Sequence, residues 1–391
     1  MAAEGGPAER LELVDSLRGY ALMGLFLVHM VERFELYWLN PAGGPVVAWT
    51  FGLFAGKAFA LFALCFGLSF FILMDRAAAR GVDFSGRFVW RLLILLAFGF
   101  AHSLYYRGDI LMFLALLGLT LIPFNRIRDD RVLLALAAFF LAQPYLWVKL
   151  FAALAGAGWA NQPPAFATGA SLPVMADGSF LQALHAQNGD GRVSTWSFMY
   201  ESGRLAQIAG LFLVGLVLGR RGVFADPDRF RRTRRIVLAL AALAWLALML
   251  GRPALVGLLP AGSRAAGVGG FIADAWIALA LLTVQVVLFV ELYQAFARPL
   301  LRLLAPAGRM TLTLYLGQSL VFVPVFFGWG MGLHERMSSG AALALGIAAF
   351  VAQVIFAHLW FRAFRYGPLE WLWRALTYLT WKVPFRRPAA T

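Results

Sequence analysis

A histidine and an aspartate, His102 and Asp109, stand seven residues apart in this sequence of 391 residues. Between them lies a short link, YYRG at 105–108, that separates two apolar runs. A link this short predicts that both side chains lie at the same end of two neighbouring helices. An imidazole beside a carboxylate is the arrangement of a general base, because the carboxylate fixes the tautomer and raises the basicity of the ring. The alternative is structural, with His102 bonded to a loop carbonyl and Asp109 capping the second helix.

Further ionisable side chains interrupt apolar runs elsewhere in the chain, and each is costly in hydrocarbon unless it is paired or functional. They stand near the same end of the runs that carry them, which predicts one polar cavity shared with His102 and Asp109. These side chains are His29, Lys57, Glu201, Arg204 and Asp274. Glu201 and Arg204 are three residues apart, so their simplest interpretation is an ion pair along one helix.

A polar stripe at helical spacing marks the segment GRMTLTLYLGQS at 308–319. Its members are Thr311, Tyr315, Gln318 and Ser319. The stripe either lines a path through the protein or bonds to neighbouring helices. We predict that Tyr315 and Gln318 contact a substrate.

The composition excludes a water-soluble globular protein. Hydrophobic residues make up 61% of the chain and charged residues 14%, and the mean hydropathy is +0.74. A soluble domain has about 45–50% apolar and about 25% charged residues. The single cysteine, Cys65, excludes a disulfide framework and a cysteine metal site, and no metal site is predicted.

The lengths of the apolar segments predict an all-α, polytopic transmembrane bundle, since a helix of about 20 apolar residues crosses the hydrocarbon layer. We predict one bundle domain over 1–361, followed by a cytoplasmic tail over 362–391. The ten predicted spans are roughly 16–34, 53–74, 88–106, 109–124, 131–152, 196–219, 236–250, 270–296, 309–331 and 340–361. Gly215 and Gly219 in the sixth span form a small-residue packing motif.

The net charge of +14 follows from the topology and not from affinity for nucleic acid. Most of the Lys and Arg residues fall in alternate connections, which the positive-inside rule assigns to the cytoplasm. Both termini are therefore predicted to be cytoplasmic. The predicted polar cavity then opens to the outside, while Arg18 and Arg309 lie at the inner face.

Two segments outside the spans stand out. The connection 153–195 is rich in Gly, Ala and Pro and is either a functional lid or a floppy loop, with a short surface helix predicted at 180–187. The segment 368–385, PLEWLWRALTYLTWKVPF, predicts an amphipathic helix lying at the cytoplasmic interface. The simplest role for that helix is a membrane anchor, and the alternative is guiding a substrate.

The usual motifs for ATP-driven transport, dinucleotide chemistry, zinc proteolysis and serine hydrolysis do not occur in the sequence. The opening segment LVDSLRGYALMGLFLVH does resemble that of the YeiB-like bacterial membrane proteins, domain-of-unknown-function family 418. His29 replaces the Asn that is usual in that pattern. The resemblance continues through KAFALFALCFGLSF, RLLILLAFGFAHSLYYRGDILMFLALLGL, RLAQIAGLFLVGLVLGRRGVF, AGRMTLTLYLGQS and GPLEWLWRALTY. It implies a multi-helix bundle in the inner membrane of a bacterium, with no assigned activity.

YeiB-like proteins are distantly similar to the transmembrane acyltransferases of the heparan acetyltransferase type. These enzymes move an acyl group from a cytosolic thioester to an extracytoplasmic sugar or lipid. The similarity rests on the Leu-Arg-Gly opening helix, the general layout and the segment at 308–319, where Gln318 and Ser319 stand in place of an expected His.

The leading hypothesis is therefore a membrane acyltransferase with acyl-CoA as donor substrate and no covalently bound cofactor. Arg18 and Arg309 would contact the donor phosphates, and His102, oriented by Asp109, would be the general base, with His29 as a further catalytic candidate. Lys57 or Arg204 would stabilise developing negative charge, and Glu201 and Asp274 would contact the substrate. The alternative is a transporter or lipid-handling protein whose outer cavity binds a solute without covalent chemistry. Membrane lipids and a small sugar or lipid are the expected partners, and a homo-oligomer stays open.

Overall fold

The computed structural model describes residues 12–387, which fold into twenty α-helices joined by turns and short irregular helices. The first eleven and last four residues, which the predicted domain and tail include, lie outside the described part. The first eleven helices are α1 (Glu12–Val31), α2 (Pro45–Phe54), α3 (Ala58–Ala78), α4 (Ser85–Tyr105), α5 (Leu111–Gly118), α6 (Leu121–Asn125), α7 (Asp130–Leu141), α8 (Pro144–Leu154), α9 (Gly158–Asn161), α10 (Ser171–Asp177) and α11 (Phe180–Ala186). The other nine are α12 (Arg192–Glu201), α13 (Arg204–Arg220), α14 (Arg231–Gly257), α15 (Arg264–Leu292), α16 (Arg298–Leu301), α17 (Ala305–Arg309), α18 (Thr311–Phe326), α19 (Ser339–Ala363) and α20 (Pro368–Tyr378).

Long apolar helices confirm a multi-pass membrane protein. Within residues 12–387, seven helical segments are long and apolar enough to cross a membrane. An eighth appears if the helices on either side of residues 202–203, which meet at 59°, count as one span. About seven or eight such spans therefore stand against the ten predicted.

The two remaining predicted spans correspond to shorter helices. The segment predicted at 109–124 is broken into α5 and α6 by a turn at Leu119 and Thr120, so neither piece is long enough to cross by itself. The segment predicted at 309–331 becomes α18, which has 16 residues. Its chain leaves the helix after Phe326, two residues beyond Pro324.

The centre of the bundle is α1, in which 78% of an apolar stretch of 18 residues is buried. It packs against α3, α17, α18 and α19. By contrast, α14 packs mainly on α15 and leaves Leu240, Leu243 and Leu250 exposed. Exposed leucines along one long helix are what a lipid-facing surface requires, because hydrocarbon solvates them.

Small residues set the closest helix contacts. Gly215 of α13 lies against the Leu64 carbonyl of α3, and Gly67 of α3 lies against the Phe212 carbonyl of α13. A Cβ at either position would collide with backbone. Gly219 packs on the Phe71 ring, so the predicted Gly215 and Gly219 motif is an interface between α13 and α3.

Two ends of the bundle matter for the site. We call one the arginine end, where Arg18, Arg91 and Arg309 lie near the ends of α1, α4 and α17. The other is the histidine end, where α1 finishes after His29 and α4 finishes after His102.

The long connection and the tail are both helical. The predicted surface helix at 180–187 is confirmed as α11, and a short π-helix at Gln187–Gly191 joins it to α12. Gln187 donates to the Ser103 carbonyl and Asn188 to the Leu104 carbonyl, so this connection packs over the end of α4. The amphipathic helix predicted over 368–385 is present only over Pro368–Tyr378, as α20.

Candidate functional site

His102 and Asp109 meet at the histidine end, as their spacing predicts. The His102 Nδ1 atom lies 2.8 Å from Asp109 Oδ1, and both side chains are 2% exposed. The other oxygen, Asp109 Oδ2, accepts a hydrogen bond of 3.0 Å from the Met112 amide at the start of α5. The carboxylate therefore orients the imidazole and also bonds the first turn of a helix, as the structural interpretation expected of Asp109. The partners of His102 are Asp109 and Ser319, in place of the loop carbonyl that this interpretation expected.

Ser319 of α18 completes a chain of three buried side chains. Its Oγ atom lies 2.5 Å from His102 Nε2 and 3.0 Å from the Leu316 carbonyl oxygen. The single hydroxyl proton of Ser319 points either to the Leu316 carbonyl or to His102 Nε2. In a neutral His102 whose Nδ1–H is donated to Asp109, Nε2 carries the lone pair that accepts this proton. This order of serine, histidine and carboxylate is that of an activated nucleophile.

Two tyrosines enclose the imidazole. The Tyr315 ring lies 5.2 Å from the His102 ring, and the Tyr315 hydroxyl accepts from the Ile110 amide at 3.3 Å and donates to the Gly108 carbonyl at 3.2 Å. The Tyr106 ring lies 5.7 Å from His102 on another side and 5.6 Å from His29. His29 is thus near the site but separated from His102 by an aromatic ring.

A cavity of about 330 Å³ begins at Tyr315 and extends towards the arginine end. This volume falls within the range of small-molecule sites. Apolar side chains of α3, α4 and α5 form much of its wall. Among them are Phe66, Phe70, Leu92, Leu95, Leu111 and Leu114. The cavity therefore suits a chain-like apolar group.

Four arginines line the same cavity at its arginine end. They are Arg18, Arg91, Arg309 and Arg374. The Arg91 guanidinium stacks 3.6 Å from the Trp373 ring centre, and that of Arg309 stacks 4.0 Å from the Phe361 ring centre. Arg18 is already paired with Asp15 at 2.9 Å. The other three arginines give the mouth of the cavity a positive charge, which favours an anionic group.

The helix α20 forms one wall of that mouth. Trp373 donates from its indole nitrogen to the Arg91 carbonyl at 2.9 Å. The Glu370 carboxylate accepts from the Thr313 amide at 3.0 Å and from the Thr313 hydroxyl at 2.7 Å. Burial raises the pKa of the Glu370 carboxyl above its usual range. An amphipathic segment predicted as an anchor therefore also borders the cavity.

Two of the groups predicted for one outward polar cavity have separate ion-pair partners. Glu201 pairs with Lys149 at 2.8 Å and Arg264 at 3.1 Å, and not with Arg204. Asp274 pairs with Arg252 at 2.6 Å on an exposed surface. These pairs satisfy the charges locally, as hydrocarbon requires.

The remaining predicted site residues also have their own neighbours. Lys57 donates to the Phe51 and Ala55 carbonyls at the end of α2, at 3.0 and 2.8 Å. The Arg204 guanidinium lies over the Phe59 and Phe198 rings. Gln318 donates to Gln353 of α19 at 2.8 Å and so joins two helices. Of the predicted residues, the structure brings His102, Asp109 and Tyr315 together and places Arg18 and Arg309 in the cavity wall.

Sequence reasoning missed three functional candidates. Ser319 belonged to the polar stripe, and this was a usable signal, but 217 residues separate it from His102. Arg91 and Arg374 served only as topology signals. Nothing in one sequence tells a cavity-lining arginine from one that faces the headgroups.

The apolar helices and the buried polar centre define a multi-pass α-helical membrane protein with a cavity that ends at Tyr315, whose ring packs on His102. Residues 218–380 match the family model described as a protein of unknown function, DUF418. The chain is similar to this family over that segment.

Three bacterial relatives align along nearly the whole chain. The uncharacterized protein YxaH of Bacillus subtilis (strain 168) is 28% identical, with 96% of each chain covered. The uncharacterized protein YeiB of Escherichia coli (strain K12) is 29% identical, covering 94% of this chain and 96% of its own. An uncharacterized 39.9 kDa protein encoded in the amylase 3′ region of Bacillus acidopullulyticus is 26% identical, with 95% and 94% covered.

Proposed function

We propose that this protein is an integral-membrane acyltransferase. It takes the acyl group of an acyl-CoA-like donor at the arginine end and passes it to a sugar or lipid acceptor at the histidine end. The observation that carries the proposal is the cavity of about 330 Å³, which connects four arginines with Tyr315, whose ring packs on His102. A donor of this class has the matching order of parts: phosphates, a chain and a thioester.

The positive-inside rule supports this orientation. The connections at the arginine end carry most of the basic residues, which assigns that end to the cytoplasm, where acyl-CoA is made. Both termini then belong to the cytoplasmic side. Since the relatives are bacterial, we place the protein in the bacterial cytoplasmic membrane.

His102 acts as the base of the reaction. It accepts a proton at Nε2 as the nucleophile attacks the thioester carbonyl, and Asp109 balances the charge of the imidazolium that results. Lys57 is held at the end of α2 and is poorly placed to stabilise the oxyanion. Tyr315 lines the cavity and packs on His102, but its hydroxyl proton is donated to the Gly108 carbonyl, so its role is to position the imidazole.

The test is native mass spectrometry of the protein in lipid discs, with and without acyl-CoA. We expect the wild type to bind the thioester and release free CoA, and His102→Ala to bind it without release. His358→Ala is the matched control. Among the hydrogen bonds of the described residues, the His358 side chain makes one, to the Val354 carbonyl of its own helix, α19. If His102→Ala releases CoA at the wild-type rate, the proposal is wrong.

The second candidate is an amphiphile carrier without covalent chemistry. The apolar walls of the cavity favour it, since they would hold a lipid chain whether or not a reaction follows. In the same experiment, this function predicts a co-purifying lipid and no binding of acyl-CoA. Loss of His102 would then change affinity and leave no reaction to abolish.

A further inference from the structure

Ser319 has the position of a nucleophile, not that of a helix-packing serine. Its Oγ atom is 2.5 Å from His102 Nε2, and the opposite ring nitrogen is 2.8 Å from Asp109. Many serines in membrane helices bond their own backbone, as Ser319 also does at Leu316. An imidazole at hydrogen-bond distance, itself oriented by a carboxylate, is a further feature that such packing does not need.

The surroundings suit a covalent intermediate. Counting backbone and side chain together, Ser319 is 1% exposed, His102 5% and Asp109 3%. Bulk water therefore does not reach an ester formed there. Exclusion of water protects a reactive acyl group from hydrolysis. Asp109 is fixed a second time by the Met112 amide, so the imidazole is held in one orientation.

Access to Ser319 runs through Tyr315. The two residues are four apart on α18, so their side chains lie on one face, one turn from each other. Tyr315 lines the cavity and packs on His102. A thioester that fills the cavity thus arrives one helical turn from Ser319, with the Tyr315 side chain between them.

We propose that Ser319 accepts the acyl group as an acyl-serine ester before the acceptor receives it, a step that rests on the acyltransferase function proposed above. Ser319 Oγ attacks the thioester carbonyl while His102 Nε2 takes the hydroxyl proton. The C–O bond forms, the C–S bond breaks, and the thiolate leaves with the proton from His102 as free thiol. An acceptor hydroxyl or amine then attacks the ester, gives its proton to His102, and Ser319 regains a proton as it leaves.

The experiment uses the full chain in lipid discs with acetyl-CoA and no acceptor. Intact-mass measurement and peptide mapping are expected to show one acetyl group on Ser319 in the wild type and none on Ser319→Ala. The matched control is Ser202→Ala, because Ser202 is a buried serine that bonds the Phe198 carbonyl of its own helix. This control is expected to be acetylated like the wild type.

A cysteine variant guards against loss of folding. Ser319→Cys keeps a nucleophile and is expected to carry the acetyl group as a thioester, which neutral hydroxylamine removes, whereas the serine ester resists it. We expect CoA release by Ser319→Ala to fall by about a thousandfold or more, with acetyl-CoA binding retained.

Two results overturn the proposal, and they are distinguishable. If Ser319→Ala releases CoA at the wild-type rate and the wild type carries no acetyl group, His102 acts directly on the acceptor; the acyl-serine step is wrong while the acyltransferase function stands. If the wild type neither binds acetyl-CoA nor releases CoA, both proposals are wrong.

Discussion

The bidentate pair between Arg252 and Asp274 neutralises two charges on an exposed face of the bundle. The Arg252 Nε and Nη2 atoms lie 2.6 and 3.0 Å from the two Asp274 oxygens. Arg252 lies five residues before the end of α14, so the pair is within the stretch that the apolar helices span. We therefore expect the pair to neutralise both charges where the helix meets the membrane.

We expect Asp274→Asn to lower stability by on the order of 2 kcal/mol, because it leaves an arginine charge without its carboxylate at membrane depth. The double replacement of Arg252 and Asp274 by Leu is expected to recover most of this loss, since it removes both charges. Thermal unfolding in lipid discs measures both effects, and acyl-CoA binding should be unchanged. A loss of binding in Asp274→Asn without loss of stability would restore Asp274 to the site.

Glu370 gives the attachment of α20 a dependence on pH. Burial raises the pKa of its carboxyl in the folded chain above the ordinary value of 4.5, so the folded state binds the proton more tightly than the unfolded state. The stability that this group contributes is therefore fully present below about pH 4.5. It is lost as the pH rises through the pKa that the carboxyl has in the folded chain.

We expect the melting temperature of the wild type to fall more steeply with rising pH than that of Glu370→Gln. The amide still bonds Thr313 but does not titrate, so the difference between the two curves isolates this carboxyl. Fluorescence of Trp373, which lies one turn along α20, reports the same loosening locally. Parallel curves for the two proteins would contradict the prediction.

At the scale of elements, the arginine end depends on the close contact of α1 with α17. Gly308 of α17 lies against the Asp15 carbonyl, and Gly19 of α1 lies against the Leu304 carbonyl. A Cβ at Gly308 would overlap the Asp15 oxygen. The next residue after Gly308 is Arg309, and Arg18 precedes Gly19, so this contact sets the position of two cavity arginines.

Gly308→Ala is expected to destabilise the protein by about 1–3 kcal/mol, because backbone on both helices must move. We also expect weaker binding of acyl-CoA through displaced arginines. Gly317→Ala is the matched control in α18, where a Cβ meets nothing within 4 Å. That control should gain about 0.5–1 kcal/mol from the lower flexibility of alanine in a helix. Thermal unfolding and acyl-CoA titration decide between these outcomes.

Helical elements were predictable where apolar length alone decides them. The spans at 16–34 and 340–361 correspond to α1 and α19, and the tail helix appears as α20. The break between α5 and α6 was not predicted, because the length of the apolar segment 109–124 was weighed above Gly118, Thr120 and Pro123, which stand at or near the turn. Hydropathy indicates whether a segment is apolar enough to lie in hydrocarbon. It does not indicate where a helix within that segment breaks.

At the scale of the whole molecule, the site depends on contacts between distant segments. The pairing of His102 with Asp109 was predictable, because a short link constrains it. The partner Ser319 and the choice of Lys149 over Arg204 for Glu201 were not, since these contacts span 217 and 52 residues of sequence. The cavity joins α1, α3, α4, α5, α17, α18 and α20, and its shape follows only from their packing.

The cavity itself provides the last prediction. Leu114 of α5 is 6% exposed and lines the cavity, whereas Leu116, two residues along the same helix, is 37% exposed and does not. We expect Leu114→Trp to fill part of the space of about 330 Å³ and to weaken acyl-CoA binding by at least tenfold, while Leu116→Trp binds like the wild type. Titration of acyl-CoA in lipid discs measures both.

The length of the acyl chain sharpens this test. A bulky side chain at Leu114 shortens the apolar part of the cavity without touching the arginines, so long-chain thioesters should lose more affinity than acetyl-CoA. Equal losses for all chain lengths would mean that the substitution disturbs the fold or the phosphate end instead. If Leu114→Trp binds every thioester as the wild type does, the donor does not enter this cavity, and the route from the arginines to His102 is wrong.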